Sequence, residues 1–243
     1  MTGIGPITRP EARVLAEAET ARMVTLLGDL SPDEWARPTD CPGWDVRAMA
    51  GHVLGMTEGF TGLRRMAAMF RAGGKLAANG PLIDGVTAYQ VAANDRLSTG
   101  ELVARMAAAG PRQARWRTER PLLRRGPMEN HDPDGTVEAR TMGYVFEVIL
   151  TRDTWMHRVD VAQATGRALD LSPAHDGRIV ADVVAEWARR HGKPFTLDLT
   201  GPAGGTYTEG SGGVELTCDA GEFCRTLAGR APGSGLLAQH VPF

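Results

Sequence analysis

The chain has 243 residues, 42% of them hydrophobic and 23% charged, which is enough for a core-bearing globular protein and far from a disordered composition. With 27 basic against 29 acidic residues and a formal net charge of -2, it lacks the basic excess that a phosphate backbone demands, which argues against nucleic acid as a partner. Three scattered cysteines, Cys41, Cys218 and Cys224, exclude a disulfide framework, and neither a signal-peptide stretch nor about 18 uninterrupted apolar residues is visible, so the expectation is a cytoplasmic protein with no membrane partner.

From Pro10 to Leu30, apolar residues recur every three or four positions among charges, predicting an amphipathic helix. A loop with Pro38, Pro42 and Gly43 follows, and a second helix is predicted from about Trp44, with Asp45 or Arg47 in its first turn and His52 two turns in. A break is expected at Gly73 and Gly74. A third helical stretch runs from about Val86 to Arg117, with interruptions expected near Gly100 and Gly110. The segment PMENHDPDGTVEAR reads as a polar loop, and a fourth helix from about Met142 to Ala164 ends at Gly166 as its C-cap. Four such helices suffice for a bundle. Beyond Ser172 the pattern mixes a helix from Pro173 to His191, short strands in FTLDLTG and GVELTCD, and a last helix in AGEFCRTLAGR. The predicted organisation is therefore α + (α+β): residues 1–171 form a helical bundle and residues 172–243 a small α+β domain.

Asp153 and His157 are four apart in the fourth helix, so at roughly 100° per residue they share one face and make half of a metal site. His52 falls among residues expected to face the bundle interior and supplies a third ligand from a facing helix. Two histidines and a carboxylate suit zinc and tolerate nickel, iron or manganese, with positions left open for water or substrate. The bland alternative is a hydrogen-bonded core histidine beside a surface Asp/His contact. Asp160 either orients His157 as an outer acceptor or pairs with Arg152 or Arg158. Cys41 is read as a structural turn cysteine, its alternative being a thiolate ligand or nucleophile near a helix N-terminus, and Trp44 and Trp155 as core residues or pocket walls. No GxGxxG in its proper context, GxxxxGK[ST], GxSxG or HExxH occurs.

TDCPGWDVRAMAGHVLG, followed about a hundred residues later by TRDTWMHRVDVAQATGR, resembles the mycothiol-dependent maleylpyruvate isomerase family, a branch of the DinB-like bundles. The resemblance implies a DinB-like four-helix bundle holding a divalent metal, followed by a sterol-carrier-like C-terminal domain. It also implies mycothiol as thiol cosubstrate, a small-molecule substrate, and a monomer or homodimer. In that branch the residue four before the helix histidine is a glutamate ligand; here it is Asp153, one methylene shorter, with water or Glu147 as substitutes should it fall short. The resemblance draws attention to Arg230 in the closing LAGR, where an arginine would approach an anionic substrate as a catalytic residue; its alternative is a surface arginine at a helix end. The implied chemistry is that of an isomerase, in which thiolate adds to a conjugated cis double bond, a single bond rotates and elimination returns the trans product, or of an S-transferase. A metal-dependent hydrolase and a non-catalytic metal- or ligand-binding protein are the rival readings.

Overall fold

The computed structural model describes residues 4–131, 135 and 137–243, with only the backbone of Asn130 and His131. It is rich in helix, with two small sheets. Among the described residues, one compact unit takes Ala12–Leu122 and Asp153–Ala168, and the other takes the chain up to Glu11, Leu123–Arg152 and Leu169–Phe243. These units are interleaved along the chain, whereas the expected division at residue 171 follows chain order.

The first unit is helical: α1 (Arg9–Gly28, from Ala12 on), α2 (Val46–Gly59), α3 (Leu63–Ala77), α4 (Leu82–Asn94), α5 (Thr99–Thr118) and most of a later helix described below. Met23 and Leu27 of α1, Met49, Val53 and Leu54 of α2, and Leu102 and Met106 of α5 close over a shared core. Each is at most 1% exposed, so burial of apolar surface dominates here. The expected break at Gly73 and Gly74 is absent, because α3 runs through both. A side chain on Gly73 would meet Val86 backbone and side chain at 2.5–2.8 Å, so this glycine serves close helix packing rather than a turn. The breaks fall instead at Phe60–Gly62, at Ala78–Pro81 and at Asp95–Ser98. Ser98 caps α5 in a reciprocal capping box with Glu101, so the interruption expected near Gly100 falls just before it, whereas α5 continues through Gly110 and Pro111 without the second expected interruption.

The second unit begins inside the short helix α6 (Pro121–Arg124), at Leu123, and holds an antiparallel hairpin, β1 (Pro127–His131) and β2 (Val137–Thr141), where a polar loop was expected; Asp132–Asp134 and Thr136 of that segment lie outside the described residues. The expected fourth helix is a continuous run: α7 (Met142–Tyr144), a π-helical turn at Val145–Ile149, and α8 (Leu150–Thr165), which ends before Gly166. Arg152 closes the second unit's share of α8, and Asp153 onward belongs to the first. After a π-helical turn at Pro173–Gly177 come α9 (Arg178–His191), β3 (Phe195–Thr200), β4 (Gly205–Glu209), β5 (Val214–Asp219) and α10 (Ala220–Leu227). The sheet order is β4-β3-β5, with β3 antiparallel to β4 and parallel to β5. β3 alternates strictly, so Phe195, Leu197 and Leu199 are buried, and Trp187 of α9 packs edge-on against Phe195 and Phe223. The strand β4 lies where the sequence suggested only a Gly-rich turn.

No helix among the described residues is long and apolar enough to cross a membrane.

Candidate metal centre

Two helices of the first unit carry the three expected ligands. α2 begins at its cap Asp45, whose side chain accepts from the Ala48 amide, and nearly every residue from Met49 to Thr57 is buried, so His52 has no polar face to turn to. On α8, the four-residue spacing stacks Asp153 and His157 on one side of the helix. His52 Nε2 lies 3.6 Å from Asp153 Oδ2, and His157 Nε2 lies 3.5 Å from Asp153 Oδ1. One ligand atom from each of the three residues falls within 4.8 Å of the other two. The two imidazole rings meet edge to face with centroids 5.0 Å apart. Asp153, despite its short side chain, therefore comes close to both histidines. Glu147, the proposed substitute, instead forms an ion pair with Arg124 in the other unit.

The electrostatics of this cluster are those of a cation site. Burial alone would raise the Asp153 carboxyl, but the charge of His157 and the close approach of both histidines outweigh it and hold that carboxyl far below the ordinary range. Burial would likewise depress His157, yet the Asp153 carboxylate, followed by Asp160, pushes it well above the ordinary imidazole value. Positive charge is thus favoured on His157, between Asp153 and Asp160. Ligation requires neutral imidazoles, so a divalent ion would take the place of that extra proton. The donor set fits such an ion on a further observation: His52 Nδ1 and Nε2 and Asp153 Oδ2 are all buried with no hydrogen-bond partner among the described residues. Leaving such atoms unsatisfied costs about 1–3 kcal/mol each, and a bound metal relieves that cost at the ligating atoms.

Around the trio stands a supporting layer. Asp160, fully buried, has Oδ2 3.1 Å from His157 Nδ1, and Cys41 Sγ lies 3.7 Å from the same oxygen. The Trp44 ring is 5.0 Å from that of His52 and 6.1 Å from that of His157. Asp160 is thus an acceptor for the imidazole rather than a surface partner of Arg152 or Arg158. Those arginines pair elsewhere, Arg158 with Glu19 and Arg152 with Asp182. Trp155 is a core residue, 1% exposed. Arg230 lies in the other unit just beyond α10, half-buried, with its guanidinium donating to the Ala228 carbonyl.

Comparison with known proteins gives this arrangement a lineage. The model for the mycothiol maleylpyruvate isomerase N-terminal domain matches residues 16–162, a span that contains Cys41, Trp44, His52, Asp153, His157 and Asp160. The chain belongs to that family. Two proteins from two strains of Mycobacterium tuberculosis, each described as uncharacterized, are 26% identical to this member over 226 residues, covering 85% of this chain and 80% of the relative. The crystal structure of the mycothiol-dependent maleylpyruvate isomerase superposes with a TM-score of 0.55 at 16% identity, covering 92% of this chain and 90% of that one. A crystal structure of a histidine-to-alanine mutant of that isomerase gives the same score and coverage at 17% identity. The shared fold extends beyond the segment that the family model matches.

Proposed function

We propose that this family member is a metal-dependent enzyme using mycothiol, acting as a maleylpyruvate-isomerase-like isomerase or as an S-transferase in the cytoplasm. The observation that carries the reading is the convergence of His52, Asp153 and His157, in which both His52 ring nitrogens and Asp153 Oδ2 are buried without a hydrogen-bond partner among the described residues, inside the segment that the family model covers. In this reading residues 1–171 are a DinB-like metal-binding bundle and residues 172–243 a sterol-carrier-like domain, a division of lineage rather than of packing. His52, Asp153 and His157 hold the ion, with zinc the first choice for two imidazoles and one carboxylate. When bound, such an ion supplies the positive charge that lowers a thiol's pKa and makes thiolate available near neutrality. The chain's own residues do the rest. Asp160 orients His157, and Trp44 shields the two imidazoles from bulk water on the side of its ring. Arg230 is proposed to pair with an anionic substrate through its planar guanidinium.

The test is metal content by elemental analysis of the full chain beside His52→Ala and His157→Ala, followed by titration of mycothiol into the cobalt-substituted wild type. About one metal per wild-type chain, lost in both variants, with a thiol-induced change in the cobalt spectrum, is the expected result. A wild type that neither retains nor takes up zinc or cobalt would overturn the reading. One metal per chain with a spectrum indifferent to mycothiol would remove the thiol and favour metal-bound water, hence a hydrolase.

A further inference from the structure

The DCPGW loop sits against the centre without supplying any of its three ligands, and its geometry assigns it a task. The Trp44 amide donates to the Cys41 carbonyl at 3.0 Å, Pro42 takes the second position, and Gly43 takes the third with φ +80°. That is a type II turn, whose third position needs the left-handed backbone that glycine adopts without strain. The turn is fastened a second time by Thr39, whose hydroxyl accepts from the Cys41 amide at 3.3 Å and donates to the Trp44 carbonyl at 2.9 Å. A third fastening comes from the Thr39 amide, which donates to that same carbonyl at 3.0 Å. Cys41 and Trp44 are therefore held at a fixed separation, and each end faces one part of the centre. The indole stands tilted beside both imidazoles, and the thiol lies against the carboxylate behind His157 and close to that imidazole.

We propose that Cys41 and Asp160 are positioning residues that fix the tautomer of His157, and that the turn thereby sets the affinity of the centre for its metal. The inference rests on the metal-binding reading above. Asp160, when ionised, can only accept, so a carboxylate 3.1 Å from Nδ1 keeps a ring proton on Nδ1, and once a metal displaces the other proton it is Nε2, on the Asp153 side, that is free to ligate. A carboxylate oxygen has room for more than one donor, and the Cys41 S–H, approaching the same Oδ2 at 3.7 Å, donates to it as well. This second donor restrains rotation of the Asp160 carboxylate. A carboxylate held less firmly favours the Nδ1–H form less strongly over the other tautomer, in which Nε2 carries the proton and cannot ligate. Cys41 is 119 residues from Asp160 along the chain, so the contact exists only through the fold.

The alternative is direct ligation, because Cys41, His157 and Asp160 also bring ligand atoms within 4.8 Å of one another. The experiment separates the two. Zinc affinity is measured on the full chain by competition with a chromophoric chelator, and the cobalt-substituted protein is examined for a thiolate-to-cobalt charge-transfer band. Asp160→Ala is expected to weaken zinc binding about 10- to 100-fold, the usual effect of losing an outer partner of a ligating histidine. Cys41→Ala is expected to weaken it about 3- to 10-fold, below that range because the thiol is a weak donor that acts through Asp160. Cys41→Ser keeps a donor and is expected to bind as wild type does, and Cys41→Ala is expected to add nothing in the Asp160→Ala background. Circular dichroism of the metal-free variants shows that the fold is retained, and should Cys41→Ala fail to fold, the serine variant and the cobalt spectrum still decide. Unchanged affinity in Cys41→Ala overturns the proposal while leaving the metal centre intact. A charge-transfer band in wild type that both cysteine variants lose also overturns it, in favour of a cysteine ligand. A wild type that binds neither zinc nor cobalt overturns the metal-binding reading and this one together.

Discussion

Glu11 shows how a single residue ties stability to pH. Its carboxylate accepts from Arg178 Nε at 2.9 Å and from the Thr8 amide and hydroxyl at 2.8 and 2.6 Å, and these bonds hold its pKa down to about 2 from an ordinary 4.5. Because the folded value lies below the unfolded one, the contribution is complete above about pH 4.5 and is lost as pH falls through about 2. The carboxylate is 40% exposed, so solvent screening limits the effect to about 1 kcal/mol or less. Urea unfolding of wild type and Glu11→Gln should accordingly differ at neutral pH and converge near pH 2, and a difference independent of pH would rule out the ion pair as its source. The convergence of the proposed ligands His52, Asp153 and His157 was legible in the sequence through helical spacing and interior placement, both of which are local signals. Cys41 was read as a turn cysteine, which it is, but its contact with Asp160 left no trace in spacing, because a contact across 119 residues is made by packing alone.

Between elements, α3 and α4 of the helical unit approach each other closely through their glycines. A side chain on Gly85 would stand 2.1 Å from the Gly73 carbonyl oxygen and 2.4 Å from the Ala77 amide nitrogen, backbone atoms that cannot swing aside. Gly85→Ala must therefore push the two helices apart, and a destabilisation of about 1–3 kcal/mol is expected from such overpacking, read as a lower urea midpoint. Zinc stoichiometry should stay that of wild type, since neither helix carries a ligand. A midpoint equal to that of wild type would show that the helices can separate at no cost. The same glycines explain why the helix boundaries were misplaced: Gly73 and Gly74 read as a break because glycine is the commonest punctuation, whereas here Gly73 is selected by contact with a neighbour that the sequence cannot display. The hairpin β1–β2 and the strand β4 were missed for a related reason. β2 buries no residue and β4 buries only Tyr207, so the apolar alternation that reveals a half-buried strand such as β3 is weak.

At the scale of the whole molecule, the division by motif and the division by packing differ, and one buried ion-pair network accounts for it. Within the second unit, Arg152 is 1% exposed and donates to Asp182 Oδ2 through Nε at 3.1 Å and through Nη2 at 2.7 Å, to Glu186 at 2.9 Å and to the Pro242 carbonyl at 3.0 Å. Asp182 Oδ1 accepts from the Ile7 amide at 2.9 Å. One guanidinium and one carboxylate thus join residues drawn from both sides of position 171, including segments 175 positions apart. Sequence patterns show where a helix lies but not which arginine is buried, so this joint was invisible before the structure. Removing one partner of a buried pair leaves the other charge without its counterion, which costs about 3–5 kcal/mol. Asp182→Ala should fall at the low end, about 3 kcal/mol, because Glu186 remains beside Arg152. Chemical denaturation of the metal-free full chain measures this directly. A loss of that size would establish that residues 1–171 depend for their stability on residues 172–243, whereas a loss below about 1 kcal/mol would mean that Glu186 alone satisfies the arginine and that the two segments are stabilised independently.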